Sequence, residues 1–183
     1  SVRVASRAED RRKAWALVHR IYQKKGYAQE SSRLLWYGIH DALPDTTTLL
    51  VEHNGQPVAC LTLVFDSPLG LPADPLYQQE LDAMRARGRR PCEIISLASD
   101  EANLRHGAEI MKNIFKLGYL VARHLQHATD FIITVNPRHV RFYERTLLLQ
   151  ERGPERSYDK VGGAPAVLLG LDLDSAEALY HEH

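Results

Sequence analysis

The chain predicts an α/β fold: a mixed, mostly antiparallel sheet with a central parallel β-α-β unit and helices on both faces. Three observations carry this. Two β-rich runs, TTTLLVEH and QPVACLTLVF, flank Asn54-Gly55, and Asn-Gly between such runs favours a type I′ hairpin, in which both central residues take positive φ. Two short apolar runs, CEIISLA at 92–98 and FIITV at 131–135, flank a long amphipathic stretch. Strands buried on both faces read this way, and a helix between them makes a parallel, right-handed crossover. Last, a Gly162-Gly163 turn separates strand material from the run Ala164–Leu173, which closes the chain as another hairpin.

Taken in order, Val2–Ala5 is expected to be a short strand. Ser6-Arg7-Ala8-Glu9 matches a capping box, with Ser6 at the N-cap and Glu9 three residues on. The helix it opens places Ala14, Trp15, Val18, Ile21 and Tyr22 on one face and ends at Gly26, a suitable C′ residue. Residues 31–42 read as a second, shorter helix, interrupted by Gly38 and ended by Pro44. After the hairpin, 66–77 is irregular, with Pro68, Gly70, Pro72 and Pro75; helix resumes at Tyr77–Arg87 and is stopped by Gly88 and Pro91. Gly107–Gln126 is the strongest helix, its apolar face formed by Ile110, Met111, Ile114, Leu117, Val121 and Leu125. Asn136-Pro137 turns the 131–135 strand directly into another helix. Asn is a good N-cap, and proline costs no hydrogen bond in the first turn. Strand material near Gln150–Arg152 and Tyr158 forms the first arm of the closing hairpin, and 174–183 reads as a loose tail or fraying terminal helix. Residues 1–173 are thus expected to form one domain.

Composition narrows the function. The 183 residues carry 44% hydrophobic and 25% charged side chains, with Lys+Arg and Asp+Glu both at 23. A net charge of zero argues against a general nucleic-acid binder. No apolar run approaches the roughly 20 residues of a membrane span, and the N-terminus shows no secretory-signal pattern. Two cysteines, Cys60 and Cys92, make no disulfide framework, so a reducing cytoplasm is expected. The histidines fall into no metal-binding pattern; His124 and His127 lack carboxylate or cysteine partners in spacing.

A buried strand that turns directly into a helix puts its polar turn at the C-terminal edge of a sheet, where open α/β proteins hold their sites. Asn136, Arg138, His139 and Tyr143 cluster there. Arg138 and Arg141 are surface charges or contacts for a partner. The run Arg85-x-Arg87-x-Arg89-Arg90 is either a solvated loop or a patch that steers an acidic partner.

The element order resembles the acyltransferase fold of the GNAT superfamily. NPRHVRFYER followed by GGAPAVLLGLDL is similar to the core of long-chain N-acyl amino acid synthases, and CEIISLAS occupies the place of the Glu-x-Ser-Arg strand of acyl-homoserine-lactone synthases. The resemblance implies a GNAT-like N-acyltransferase that moves a medium or long fatty acyl group to the amine of an amino acid or similar small molecule. The donor is an acyl-phosphopantetheine thioester, on acyl carrier protein or CoA, and no tightly bound cofactor is expected. Three departures qualify it. The pyrophosphate-gripping turn of acetyl-CoA users is reduced here to Arg105, Gly107 and Ala108, a weakening that a carrier-protein donor tolerates. Leu97 follows Ser96 where the homoserine-lactone synthases carry Arg, which counts against that reaction. Leu147-Leu148-Leu149 also replaces the usual Leu-Gly-Phe. The rival readings are an acetyl- or acyl-CoA-dependent N-acetyltransferase and a non-catalytic acyl-binding or sensor domain.

Acyl transfer from a thioester requires a deprotonated amine, a stabilised oxyanion and protonation of the leaving thiolate. The resemblance assigns the base to Glu93, whose place in an apolar strand would raise its pKa; pairing with an arginine or facing solvent is the alternative. Tyr143 would protonate the thiolate or orient pantetheine, or else pack on its helix. His139 is a second acid–base candidate, since its unperturbed pKa lies near 6.5. Backbone N–H groups at Ser96, Leu97 and Ala98, with Asn136, would hold the donor arm, where the two central strands splay apart. Ile94, Ile95, Ile133 and Val135 would line an acyl tunnel or belong simply to the core. A covalent acyl-enzyme on Cys92 is a minor alternative.

Overall fold

The computed structural model describes residues 1–27, 34–100, 107–159, 162–176 and 178. Its strands are β1 (Val2–Val4), β2 (Thr47–His53), β3 (Gln56–Phe65), β4 (Pro91–Ser99), β5 (Asp130–Val135), β6 (Gln150–Tyr158) and β7 (Ala164–Asp172). The α-helices are α1 (Ala8–Lys24), α2 (Asp74–Ala86), α3 (Gly107–Leu120) and α4 (Val140–Leu147). The seven strands follow the order β1-β2-β3-β4-β5-β7-β6, and β4 pairs with β5 in parallel. The mixed sheet, its central parallel pair and both hairpins are as the sequence predicts. The chain falls into two compact units, Ser1–Val64 with Ile95–Gly118, and Phe65–Ile94 with Tyr119–His183.

In the first unit β2 and β3 pair antiparallel from Thr47↔Leu63 to His53↔Gln56. Asn54 and Gly55 have φ of 50° and 76°, the type I′ turn that Asn-Gly favours. α1 packs Ala14, Leu17, Val18 and Ile21 against Leu50, Cys60 and Ala98. Its C-terminus is a Schellman motif: Gly26 has φ +75°, its N–H donates to Gln23 O at 3.0 Å, and Tyr27 N–H donates to Tyr22 O at 2.8 Å. The expected Ser6 capping box does not form. The N-cap is Arg7, without a side-chain cap, because Ala5 N–H still donates to Thr48 O and Ser6 N–H to Val4 O; sheet pairing holds Ser6 before the helix begins.

The expected helix over 31–42 is also corrected. Residues 31–33 lie outside the described residues, 34–38 are irregular, and only a 3₁₀ turn, Ile39–Ala42, is present. Asp41 explains this. One carboxylate oxygen accepts Gly38 N–H at 2.7 Å and the other accepts Trp15 Nε1 at 3.2 Å. Trp36 and Tyr37 stack on Tyr22 and Trp15, so aromatic contacts with α1 outweigh local helix propensity.

In the second unit β5 pairs β7 antiparallel from Asp130↔Asp172 to Val135↔Val167, and β7 pairs β6. α2 starts three residues before the expected Tyr77, at Asp74. Asp74 accepts Leu71 N–H at 2.6 Å, and Pro75 sits in the first turn, so a proline expected in an irregular segment instead helps start the helix. Tyr77 is fully buried, donating to Pro154 O at 2.7 Å and Ala166 O at 2.9 Å. The long helix ends as α at Leu120 and continues as a π turn, Val121–Leu125. The wider turn rotates the apolar face, so Leu125, expected on that face, is 70% exposed. Near the C-terminus, Ala176 is buried and Asp174 bridges Arg89 and Arg123. Among the described residues no helix is long and apolar enough to cross a membrane.

Candidate active site

The site begins with Glu93. The β4–β5 ladder runs Pro91↔Asp130, Cys92↔Phe131, Glu93↔Ile132, so Glu93 is the last residue of β4 in it, although β4 continues to Ser99 and β5 to Val135. Glu93 is only 1% exposed, and its Oε2 accepts Ala73 N–H at 2.8 Å. Glu93 therefore does not face solvent, and a backbone amide holds one of its oxygens.

Tyr158, on β6, completes this surround and was missed in the sequence. Its hydroxyl donates to Pro72 O at 3.4 Å. Burial first, and then the charge of Glu93, push its phenol above the ordinary tyrosine range, so it is a neutral O–H donor at physiological pH. Its only sequence signal was an aromatic in a strand before a Gly-Gly turn. What brings it near Glu93 is the β6–β7 pairing, Tyr158↔Ala164, which no local pattern encodes.

The turn after β5 forms as expected, with one change. Asn136 Oδ1 accepts Arg138 N–H at 3.2 Å, but the first turn is 3₁₀ (Pro137–His139) before α4 begins. Arg138 Nε donates to His139 Nε2 at 3.1 Å. A nitrogen that accepts from guanidinium is a neutral imidazole acceptor already in use. Tyr143 is half-buried, edge-on to Phe142 with ring centroids 5.3 Å apart. Its carbonyl accepts Leu149 N–H at 3.3 Å. Leu148 takes the left-handed conformation, φ 57° and ψ 23°, so the exit from α4 keeps the geometry that glycine usually serves, here on a leucine.

Ile94, Ser96, Ala98, Ile133 and Val135 are buried, and Ile95 and Leu97 half-buried. Ser96 has φ +52°, a left-handed position within β4, and its carbonyl accepts the Cys60 thiol at 3.6 Å. Gly107 and Ala108 open α3; Arg105 lies outside the described residues. The basic run is not a free patch. Arg85 bridges Asp66, Asp74 and Asp82, and Arg89 bridges Asp130, Asp172 and Asp174. Apart from Asp82, the acids that pair Arg85 and Arg89 are distant in sequence. Cys92 is buried with its thiol pushed well up by desolvation and then by Glu93, the opposite of an activated nucleophile.

The chain is similar to solved acyltransferases. FeeM, an N-acyl amino acid synthase from uncultured soil microbes, shares 26% identity at a TM-score of 0.83, over 97% of this chain and 98% of that one. BjaI, a CoA-dependent acyl-homoserine lactone synthase solved with SAM and isopentyl-CoA, gives a TM-score of 0.65 at 13% identity, covering 100% and 89%. An acyl-CoA N-acyltransferase from Pseudomonas aeruginosa gives 0.58 at 14%, covering 93% and 96%. These last two show the fold alone. No curated protein sequence matches. The family described as N-acyl amino acid synthase FeeM matches residues 13–172. With a GNAT-like sheet, a buried carboxyl at the end of its parallel ladder and that match, the chain belongs to the FeeM N-acyl amino acid synthase family and is an N-acyltransferase.

Proposed function

We propose that this enzyme transfers a medium or long fatty acyl group from a phosphopantetheine thioester to the amine of an amino acid, with Glu93 as the general base. The observation that carries the reading is the environment of Glu93: 1% exposed and held by Ala73 N–H at 2.8 Å. A fixed carboxylate shielded from water suits proton abstraction from an ammonium. Glu93 is preferred to His139, whose Nε2 is engaged by Arg138.

In the proposed sequence the substrate ammonium gives a proton to Glu93. The nitrogen lone pair attacks the thioester carbonyl carbon, a C–N bond forms, and the carbonyl π pair moves to oxygen. Backbone N–H groups of β4 at Ser96, Leu97 and Ala98 stabilise the oxyanion or hold the pantetheine amides. The oxyanion then collapses and the C–S bond breaks; the thiolate takes a proton for which Tyr143 is the proposed donor, and the second proton of the attacking nitrogen passes to the resulting phenolate, leaving a neutral amide, a free thiol and a protonated Glu93 that gives its proton to solvent. Asn136, Gly107, Ala108 and Arg105 belong to the donor-binding surface in this reading, and Ile94, Ile95, Ile133 and Val135 to the acyl wall. Residues 1–173 work as one domain, in the cytoplasm, where the donors reside.

The donor is proposed to be protein-borne. α4 exposes Arg141 and Arg145 around Phe142, itself 41% exposed, a basic-apolar face suited to an acidic carrier. The Arg85–Arg90 run is less suited, since Arg85 and Arg89 are already paired with aspartates. The test is turnover of dodecanoyl thioesters of acyl carrier protein and of CoA with mixed amino acids, read by product mass. Amide product with wild type and a loss of about 10²–10⁴-fold in kcat with Glu93→Gln support the reading. Consumption of acetyl-CoA alone, or an undiminished Glu93→Gln enzyme, refutes it.

A further inference from the structure

We propose that Tyr158 is a positioning residue for Glu93, acting through the single peptide group between Pro72 and Ala73. This rests on Glu93 being the base proposed above. The carbonyl of Pro72 and the N–H of Ala73 belong to one peptide unit, and in a trans peptide they point in opposite directions. Tyr158 O–H donates to that carbonyl at 3.4 Å, and that N–H donates to Glu93 Oε2 at 2.8 Å. The three groups therefore form a chain: phenol, peptide, carboxylate. Each bond polarises the next. A proton donated to the Pro72 oxygen draws electron density from the amide nitrogen, and the Ala73 N–H becomes the stronger donor to Glu93.

The surroundings favour a working relay over chance contact. Ala73 is fully buried and Leu71 nearly so, which keeps water from the peptide. Asp74, the next residue, is fixed by Arg85 at 2.7 Å. Pro72 has a restricted φ, so the plane between the two partners is held from both sides. At 3.4 Å the Tyr158 bond is long for an O–H donor, whose usual distance is about 2.7–2.8 Å, so it is weak and the effect expected of removing it is small. Among the described residues, Tyr158 on β6 and Cys92 on β4 feel the charge of Glu93, and burial keeps both neutral in the working range.

The sign follows. Ala73 N–H favours the ionised carboxylate, so weakening it raises the pH at which the base becomes active. The experiment measures kcat/KM against pH with dodecanoyl thioester and mixed amino acids for wild type, Tyr158→Phe and 3-fluorotyrosine at position 158, and records the Ala73 amide proton shift by NMR. Tyr158→Phe is expected to move the acid limb up by about 0.3–0.5 pH units, lower kcat/KM about 2–3-fold near that limb, leave the thioester KM unchanged and move the Ala73 proton upfield. The fluorinated phenol, a stronger donor, moves limb and amide proton the other way, and it decides the matter if the Phe variant does not fold. An acid limb and an Ala73 proton unmoved by the substitutions overturn the proposal. Glu93→Gln separates the two ideas: if it stays active, the base assignment fails while the Ala73 shift still reports the relay; if it is dead and Tyr158→Phe moves nothing, the relay alone fails.

Discussion

Gly153→Ala tests the packing that supports the site. A Cβ at this position meets Tyr77 Cδ1 and Cε1 at 2.8 Å and Leu168 Cβ at 3.3 Å. A flexible neighbour would swing away at little cost, but this ring is held on three sides. Its hydroxyl is anchored to Pro154 O and Ala166 O, the Arg156 guanidinium lies 4.7 Å above its face, and the residue is fully buried. Relief requires moving the ring and stretching both hydrogen bonds. Overpacking of this kind costs about 2–3 kcal/mol, which for a chain of this length lowers Tm by roughly 5–10 °C. Tyr77 lies one turn into α2, close behind Ala73, whose N–H holds Glu93, so kcat is expected to fall as well. Thermal unfolding by circular dichroism checks the first part. Tyr77→Phe frees the ring from its anchors, so the alanine should cost less in that background. A Tm within about 1 °C of wild type, or full additivity of the two changes, refutes the reasoning.

Other outcomes follow from the same structure. Asn136→Ala removes the acceptor of Arg138 N–H at 3.2 Å and should destabilise by about 0.5–1 kcal/mol, a small drop in Tm with α4 otherwise intact. Burial pushes the Cys60 thiol up to about 12 and the Cys92 thiol well up too, so neither should react with Ellman's reagent at neutral pH until the protein unfolds, and Cys92→Ala should still turn over; rapid native labelling would contradict this. Arg156 holds the Glu80 carboxyl below its usual range. A lowered folded pKa gives stability that is present above the unfolded value, about 4.3, and lost as pH falls through the folded one. The Tm difference between wild type and Arg156→Met should therefore shrink as pH falls from 6 to 3, and a constant difference would argue against the pairing.

The sequence by itself determined what short-range physics controls. Asn54-Gly55 forces positive φ at two successive positions, so the turn type and the register beside it were legible. The β-branched runs at 92–98 and 131–135, with one long amphipathic helix between them, left a parallel pair as the simple solution, and Glu93 stood out as an acid in an apolar strand. Tertiary structure decided the rest because partners distant in sequence outcompete local preference. Asp41 and the Trp15 ring hold 34–42 away from helix; Thr48 draws Ala5 into the sheet and displaces the Ser6 cap; acids from Asp66 to Asp174 neutralise Arg85 and Arg89. The surround of Glu93 belongs to the same class. Ala73 lies before β4 and Tyr158 far beyond it, and they meet on one peptide group only because β6 pairs with β7 and α2 starts at Asp74, contacts whose energy exists only once the chain has folded.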